Sequence, residues 1–207
     1  MMTMNNTEKY SMSFTTGGLF LQESPRAAEL YLNLKDWKKV REVILEENLL
    51  QLRTKSSAMR VSRELCDRLC VLNDDELKVL VDGNSQERSA MLWLAVCRQY
   101  RFIYEFAAEV LRGKFLTYQR ELSYDDFDAC FNAKAAWHEE LDKITDSTLA
   151  KLRQVLFRIM HEAGLVSADG MIQTMRLSSR IISVIKKRTA GDLSIFPVAE
   201  ADLKEFS

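Results

Sequence analysis

The stretch MLWLAVCRQYRFIYEFAAEVL, residues 91–111, decides the fold of this 207-residue chain. Its apolar residues recur at spacings of three and four, which is the period of an α-helix with one buried face. We therefore predict a long helix over residues 85–112 whose apolar stripe is the central element of the core. The stripe consists of Trp93, Val96, Cys97, Tyr100, Ile103, Tyr104 and Ala107.

The rest of the sequence also favours helices. Two prolines and seven glycines in the whole chain leave few interruptions and few of the tight turns that a sheet-rich fold needs. Amphipathic patterns predict helices over residues 23–34, 37–52, 124–134 and 146–162, another that Ser56 or Ser57 caps, and a last one from Ser178. We predict a mainly α fold, a multi-helix bundle, with subdomains at residues 1–83, 84–143 and 144–207.

Two capping boxes mark further helix starts. Asn73 followed by Glu76 predicts a short helix that ends at Gly83, and Asn84 followed by Glu87 repeats the device. In such a box the first side chain accepts a hydrogen bond from the backbone three residues on, and the second side chain bonds back. The boxes therefore predict a short helix directly before the core helix.

The composition fits a globular protein with a substantial core, since 47% of the residues are apolar and 29% are charged. No uncharged apolar run approaches the ~18 residues of a membrane helix, and the N-terminal sequence lacks the basic and apolar regions of a secretory signal. The four cysteines and two histidines show no zinc-ligand spacing. We therefore predict a cytoplasmic protein with no metal, no cofactor and no membrane partner.

Two short motifs resemble catalytic elements but have simpler structural interpretations. The acidic stretch SYDDFDA, residues 123–129, places carboxylates in the first turn of a helix, where the helix dipole favours them. The stretch TTGG, residues 15–18, lacks the Lys-Ser/Thr ending of a phosphate-binding P-loop and fits an extended N-terminal arm. Because the sequence has no metal-binding carboxylate set and no glycine-rich cofactor loop, we predict no enzyme activity and no small-molecule substrate.

Charge is separated along the chain although the formal net charge is only −1. Residues 149–190 hold eight basic and two acidic residues, whereas residues 73–148 hold nine basic and fifteen acidic ones. A second stretch, residues 48–63, contains four basic residues and no acidic one. Such separation is typical of a nucleic-acid-binding protein with an acidic scaffold.

The acid-free stretch predicts a first DNA-binding surface. In the helix that follows the polar turn TKSS, residues 54–57, Arg60 and Arg63 lie opposite the apolar stripe, and Arg53 and Lys55 precede the helix. A helix, a polar turn and an arginine-bearing helix are compatible with a helix-turn-helix in the N-terminal part. Plain solvation of an exposed helix face is the alternative interpretation of the same arginines.

The helix over residues 146–162 predicts a second DNA-binding surface. Lys151, Gln154, Arg158 and His161 follow one another at spacings of three, four and three, opposite the apolar side. The stretch LVSADGMIQTM, residues 165–175, can form two short strands around an Asp-Gly turn, as in a winged helix, or an ordinary loop. Further candidates for DNA contacts are Arg176 on or near the wing and Arg180, Lys186, Lys187 and Arg188 in the last helix.

Six stretches together carry a family resemblance. They are SFTTGGLF (13–20), AELYL (28–32), DWKKVREVILEENLLQLRTKSSAMRVSREL (36–65), MLWLAVCRQYRFIYEFAAEVL (91–111), LTYQRELSYDDFDACFNAKAAWHEEL (116–141) and LRQVLFRIMHEAGL (152–165). In combination they resemble the BrxA family of bacterial BREX phage-defence systems. The resemblance implies a small, helical, non-enzymatic cytosolic component that binds DNA, and it supplies no catalytic residue.

The leading functional hypothesis is a non-enzymatic component of BREX phage defence that contacts double-stranded DNA mainly through its phosphates. Its expected partners are duplex DNA and other BREX proteins. One alternative is an adaptor whose basic faces bind acidic partner proteins, and another is an RNA-binding helical module of antitermination type. Most aromatic residues fall on predicted core stripes, so platforms for stacking on single-stranded bases are not obvious.

Overall fold

The computed structural model of the chain describes residues 9–199. Its α-helices are α1 (Ser24–Leu34), α2 (Trp37–Glu46), α3 (Lys55–Leu69), α4 (Asp74–Asp82), α5 (Ser85–Gln99), α6 (Arg101–Glu105), α7 (Arg112–Leu116), α8 (Tyr124–Ala135), α9 (Glu139–Asp142), α10 (Asp146–Glu162) and α11 (Ser179–Arg188). A π-helix (Phe106–Leu111) lies between α6 and α7, and a 3-10 helix (Ala190–Ile195) follows α11. The prediction of a mainly α fold is confirmed.

Helix α5 is the centre of the core because its segment from Ala90 to Cys97 is apolar on every side. All residues from Ala90 to Cys97 are buried, rather than the single stripe that the periodicity predicts. Helices α3, α4, α6, α10 and α11 and the 3-10 helix pack around it. The fully buried Trp93 donates its indole N–H to the carbonyl of Ile195 at 3.0 Å. A helical segment without a polar face must be covered by other elements on all sides.

The predicted helix over residues 85–112 is wrong in its continuity. The backbone is extended at Tyr100, with φ −123° and ψ 100°, so that α5 ends there and α6 begins. The buried ring of Tyr100 lies 5.3 Å from that of Phe14, and its hydroxyl donates to Glu64 Oε1 at 2.5 Å. These contacts with distant parts of the chain favour the break, which no local glycine or proline marks in the sequence.

The buried apolar residues form one continuous cluster that takes members from all three predicted subdomains. Part of it is an aromatic group in which Phe102 lies edge-on to Phe127 at 5.4 Å and Phe127 stacks on Phe131 at 6.4 Å. This group joins α6 to α8. The boundaries at residues 83 and 143 remain a prediction.

The helix starts follow local capping chemistry. The capping boxes of Asn73 with Glu76 and of Asn84 with Glu87 are both present, as predicted. Helix α3 begins earlier than predicted, because Thr54 rather than Ser56 or Ser57 caps it. The extended backbone of Thr54 lets its hydroxyl accept from the Ser57 N–H at 3.2 Å.

The helix-turn-helix of the N-terminal part is not confirmed. Helices α2 and α3 pack against each other, but residues 47–54 connect them. A helix-turn-helix has a connection of about three or four residues. Helix α3 is therefore an ordinary helix of the bundle, with one buried side and one exposed side that carries Arg60 and Arg63.

The winged helix is also not confirmed, although the Asp-Gly turn is present. Gly170 has φ 81°, and the turn is closed by Ser167 N donating to Met171 O at 2.9 Å. Pairing stops at one bridge between Val166 and Ile172, which are both buried. The other edge of the turn is occupied, because Leu122 N donates to Gly170 O at 2.9 Å. The turn is therefore packed on the body of the protein.

Candidate nucleic-acid interface

The predicted row on α10 lies on the solvent-exposed face of the helix. Lys151, Gln154, Arg158 and His161 are all exposed, while the apolar residues on the opposite side of α10 are buried against the core. The hydroxyl of Thr145 caps the start of α10. The helix thus presents one polar ridge, which we call the α10 row: Lys151, Gln154, Arg158 and His161.

Neighbouring groups orient the α10 row. Lys151 Nζ donates to Gln154 Oε1 at 3.1 Å, and Arg158 Nε donates to Glu162 Oε1 at 2.8 Å. His161 Nδ1 lies 2.9 Å from the carbonyl oxygen of Val166, and because a carbonyl only accepts, Nδ1 carries the hydrogen in this contact. Among residues 9–199, Glu162 is the one carboxylate that pairs with the row, so it offsets part of the positive charge.

The N-terminal arm, residues 13–20, packs against the end of α10. Glu162 Oε2 accepts from the backbone N–H of Leu19 at 2.5 Å, and the arm side chains Phe14 and Leu19 are buried. A Cβ at Gly18 would overlap the Glu162 carboxylate. A larger residue at position 18 would therefore force the Glu162 side chain to move, which gives the TTGG stretch a structural role beside the row.

The other side of the arm is held by Arg68 of α3, which is only 2% exposed. Its guanidinium donates to the carbonyls of Gly18 at 2.5 Å and Thr16 at 3.1 Å, and to Glu64 Oε1 at 2.7 Å. The arm therefore joins α3 to α10. The sequence analysis missed Arg68, because nothing local distinguishes it from the exposed arginines of the same helix.

A cleft of about 370 Å³ opens between the arm and α10. Thr15 and Gly17 line it from the arm, all four members of the α10 row line it from the helix, and Tyr124 lines it from α8. The half-exposed Tyr124 ring lies edge-on to Phe157 at 4.7 Å and carries the Arg153 guanidinium at 4.7 Å. Tyr124 was not predicted as a site residue, and its position at the first residue of a helix gives no sign of this role.

The basic residues of α3 form a second exposed group. Arg53, Lys55, Arg60 and Arg63, which we call the α3 group, are all exposed. None of them makes an ion pair with a residue in the range 9–199. The first turn of α3 has no acidic residue either. The positive charge of this group is therefore available to a negatively charged ligand.

The α10 row and the α3 group are linked through the arm rather than by direct packing. Helix α3 packs against α1, α2 and α5, and α10 packs against α5. The arm contacts α3 through Arg68 and α10 through Glu162 at the adjacent residues Gly18 and Leu19. The ends of the two helices therefore meet at the arm.

The predicted cations of α11 are mostly paired with α4. Arg180 Nη2 lies 2.6 Å from Asp82 Oδ1, and Lys187 Nζ lies 3.7 Å from Asp75 Oδ2. Arg188 donates to the carbonyl of Val71 at 2.6 Å and lies 3.5 Å from the buried Glu76 carboxylate. Carboxylates of the acidic middle segment thus offset much of the charge of this helix.

Two remaining residues of the predicted site lie in the same region as α11. Lys186 is half-buried on the helix, whereas Arg176 is exposed just before it. The carbonyl of Arg176 accepts from Gln86 Nε2 at the start of α5, at 2.9 Å. The structure therefore places Arg176 beside α5 and α11 and not with the α10 row.

Two general features limit the kinds of site on this part of the chain. Among residues 9–199, no group of His, Cys, Asp and Glu side chains is arranged to hold a metal ion. Over the same range, every helix is too short or too polar to cross a membrane.

Comparison with known proteins identifies the family. The family model named BrxA matches residues 8–189. A protein of Bacillus cereus (strain H3081.97) named BREX protein BrxA is 29% identical over 146 residues, which are 70% of this chain and 72% of that protein. The protein of the same name from Escherichia coli O9:H4 (strain HS) is 27% identical over 179 residues, or 86% of this chain and 84% of that one.

A solved structure supports the fold. The crystal structure of an uncharacterized protein from Magnetospirillum magneticum has a TM-score of 0.78 and 22% identity, and the match covers 92% of this chain and 98% of that one. At this identity the likeness concerns the fold. The family model, in contrast, matches nearly the whole described chain, as the six quoted stretches predict. The chain therefore belongs to the BrxA family.

Proposed function

We propose that this chain is a non-enzymatic component of a BREX phage-defence system that binds duplex DNA mainly through phosphates. The BREX part rests on family membership and on the relatives that carry the name BREX protein. The non-enzymatic part rests on the sequence, which lacks a glycine-rich cofactor loop and a catalytic carboxylate set. Other BREX proteins are the expected protein partners.

The α10 row is the observation that carries the DNA-binding proposal. Its side chains are exposed, oriented by neighbours and placed beside a cleft. A lysine and an arginine on such a ridge attract phosphates, and release of the condensed counterions supplies much of the binding free energy. The amide of Gln154 and the imidazole of His161 add hydrogen-bonding groups for phosphate oxygens or base edges.

The α3 group is a second exposed basic group that we propose also contacts the duplex. Its four cations pair with no carboxylate of residues 9–199, so phosphate binding displaces no ion pair within that part of the chain. The α11 cations must give up contacts with Asp75, Asp82 or Glu76 before they can do the same. We therefore propose that the α10 row and the α3 group make most of the DNA contacts and that α11 contributes less.

The proposal is tested by binding titrations with a short duplex at several salt concentrations. If about five phosphates are neutralised, log K should fall with log salt with a slope of about −4 to −5. The variants Lys151→Glu/Arg158→Glu and Arg60→Glu/Arg63→Glu should each bind roughly thirtyfold more weakly, with a shallower slope.

Two matched variants make the same change of charge elsewhere. Lys38→Glu/Lys39→Glu adds carboxylates at the exposed start of α2, where a helix accepts them. Arg180→Glu/Lys187→Glu alters α11, and its helix content is checked by circular dichroism because it places glutamates beside Asp82 and Asp75. Both should bind within about threefold of the parent. Undiminished binding by the α10 and α3 variants would reject this surface, and preferential binding of an RNA of the same sequence would favour the RNA-binding alternative.

A further inference from the structure

A second cleft has a volume of about 500 Å³. Tyr10, α6, the π-helix and the end of α8 surround it, and it shares no lining residue with the cleft at the α10 row. Its wall contains both charged and aromatic side chains, while Ala108 and Ala133 leave room between them. The cleft therefore has the size and mixed chemistry of a site for a side chain of a partner.

Trp137 stands at this cleft with 79% of its surface exposed, which is unusual for a tryptophan. Trp93 is fully buried, and Trp37 stacks on Tyr31 at 4.2 Å. The neighbour of Trp137 is firmly packed, since the buried His138 ring lies 4.5 Å from that of Tyr10. The indole is thus presented from a fixed point of the backbone, as at the anchor positions of interfaces.

The two carboxylates that line the cleft, Glu105 and Glu109, differ in how many hydrogen-bond and ion-pair partners they have. Glu105 accepts from the Tyr10 hydroxyl at 2.5 Å and from Arg101 Nε at 2.7 Å, and it pairs with Lys134 Nζ at 2.7 Å. Burial would raise the pKa of Glu105, but these hydrogen bonds outweigh it, and the pKa is lowered. Glu105 is therefore an ionised, saturated group that holds the wall together.

Glu109 is the carboxylate that remains for a ligand. Its side chain is 55% exposed and contacts only Lys134 Nζ, at 2.8 and 2.9 Å, among the contacts found within residues 9–199. It lies in the π-helix, together with Ala108. Single π-helical turns disturb helix geometry and occur frequently at functional sites, where they direct side chains that a regular helix would not.

The acidic residues of α9, next to the cleft, favour a positively charged partner. Glu139 and Asp142 of α9, directly after Trp137, are exposed, and Glu140 lies beside His138. The lining cations Arg101 and Lys134 are balanced by Glu105 and Glu109, so the excess negative charge that an anion meets comes from the carboxylates of α9. A guanidinium or ammonium group meets an indole face and an accessible carboxylate, which are the two groups that bind such cations.

We propose that this cleft docks a basic segment of a partner protein, with one arginine or lysine side chain against the Trp137 indole and in an ion pair with Glu109. The segment's remaining positive charge faces the carboxylates of α9. This surface differs from the proposed DNA-binding surface in both sign and position, so the two interactions can occur on one molecule.

The test uses a blocked decapeptide of alternating arginine and alanine, and the same peptide with glutamate in place of arginine. Trp137 fluorescence reports occupancy, because the other two tryptophans are buried or stacked. We expect a saturable change in emission with the arginine peptide and none with the glutamate peptide. Glu109→Lys should weaken binding by about tenfold, from loss of the charge pair and like-charge repulsion.

Two further variants complete the design. Glu42→Lys makes the same change of charge at an exposed position of α2 and should leave the affinity unchanged. Trp137→Ala, measured by calorimetry and checked for helix content by circular dichroism, should lose about tenfold in affinity. Equal affinity in Glu109→Lys and the parent would overturn the proposal. So would a change in Trp137 emission with protein concentration alone, which would make a second copy of this chain the occupant.

Discussion

The helices α10 and α11 have similar basic sequences but differ in what surrounds their cations. In α10, Lys151 contacts an amide, and within the described range 9–199 a single carboxylate, Glu162, pairs with the α10 row. In α11, Arg180 and Lys187 each pair with a different carboxylate of α4. The α10 row keeps its positive charge at the solvent-exposed surface, although Arg153 of the same helix pairs with Asp128 of α8. In α11, both Arg180 and Lys187 join the helix to α4.

A basic stretch of sequence therefore does not always form a basic surface in the folded protein. Arg180 and its partner Asp82 are 98 residues apart in sequence, so the offsetting charge is invisible in any local window. Ion pairs at a surface contribute little to stability individually, but they lower the charge available to a ligand. If the comparison is right, damage around α11 should affect folding, and damage to the α10 row should affect binding.

The largest expected effect is a loss of folding stability when Arg98, which lies beneath α11, is replaced. Arg98 Nη1 contacts the fully buried Glu76 at 2.8 Å, and Arg98 Nε donates to Asp192 Oδ2 at 2.8 Å. Arg98→Met would leave both carboxylates in the interior without this partner, at a cost of about 3–5 kcal/mol in the free energy of unfolding. Urea unfolding followed by circular dichroism measures the loss.

Arg158→Met is the matched substitution in the α10 row. Arg158 is 63% exposed and pairs only with Glu162 among the ion pairs of residues 9–199. Removal of an exposed pair should cost less than about 1 kcal/mol. Equal destabilisation by the two substitutions would contradict the distinction between a structural and a surface cluster.

A smaller effect is expected at the start of α11. The Ser178 hydroxyl accepts from the Ile181 N–H at 3.3 Å as the helix cap and donates to Glu87 Oε1 at 2.7 Å. Ser178→Ala should therefore cost about 1 kcal/mol at neutral pH from loss of the cap. The hydrogen bond from Ser178 is also the first cause that lowers the pKa of Glu87 below 4.5.

The pH dependence gives this prediction a second readout. A lowered pKa stabilises the folded state above the ordinary pKa of 4.5, and this contribution disappears as the pH falls through the lower folded value. The stability difference between Ser178→Ala and the parent should therefore be largest near neutral pH and narrow in acid. A difference that stays constant from neutral pH into acid would show that the Glu87 contact does not matter.

Much of the fold follows from local signals. Helix α10 occupies the predicted residues 146–162, because its apolar period, the Thr145 cap and the following Gly164 act together. The break at Tyr100 was not predicted, since it depends on contacts with Phe14 and Glu64 that no periodicity encodes.

The candidate site was predictable only in part, for the same reason. Side-chain direction on a single helix follows from spacing, and the exposure of the α10 row is as predicted. The attachment of the arm by Arg68 and the contribution of Tyr124 to the cleft arise from tertiary packing. Whether a basic residue is paired across helices also depends on tertiary packing, as Arg180 shows.

The smallest expected effect has the opposite sign, a gain in DNA affinity. Glu162 offsets the charge of Arg158 and accepts from Leu19 N. Glu162→Gln keeps an amide oxygen that can accept from Leu19 N and removes the negative charge beside the α10 row. We expect about threefold tighter DNA binding, a gain in the range of one weak surface charge interaction. Binding titrations at low salt, where screening is least, give the best sensitivity.

Asp82→Asn is the matched substitution for α11. It removes the carboxylate that pairs with Arg180, and so adds the same positive charge to the molecule. If DNA contacts the α10 row and not α11, Asp82→Asn should change the affinity much less than Glu162→Gln does. An equal gain in both variants would mean that DNA responds only to total charge, and the assignment of the interface to α10 would then be wrong.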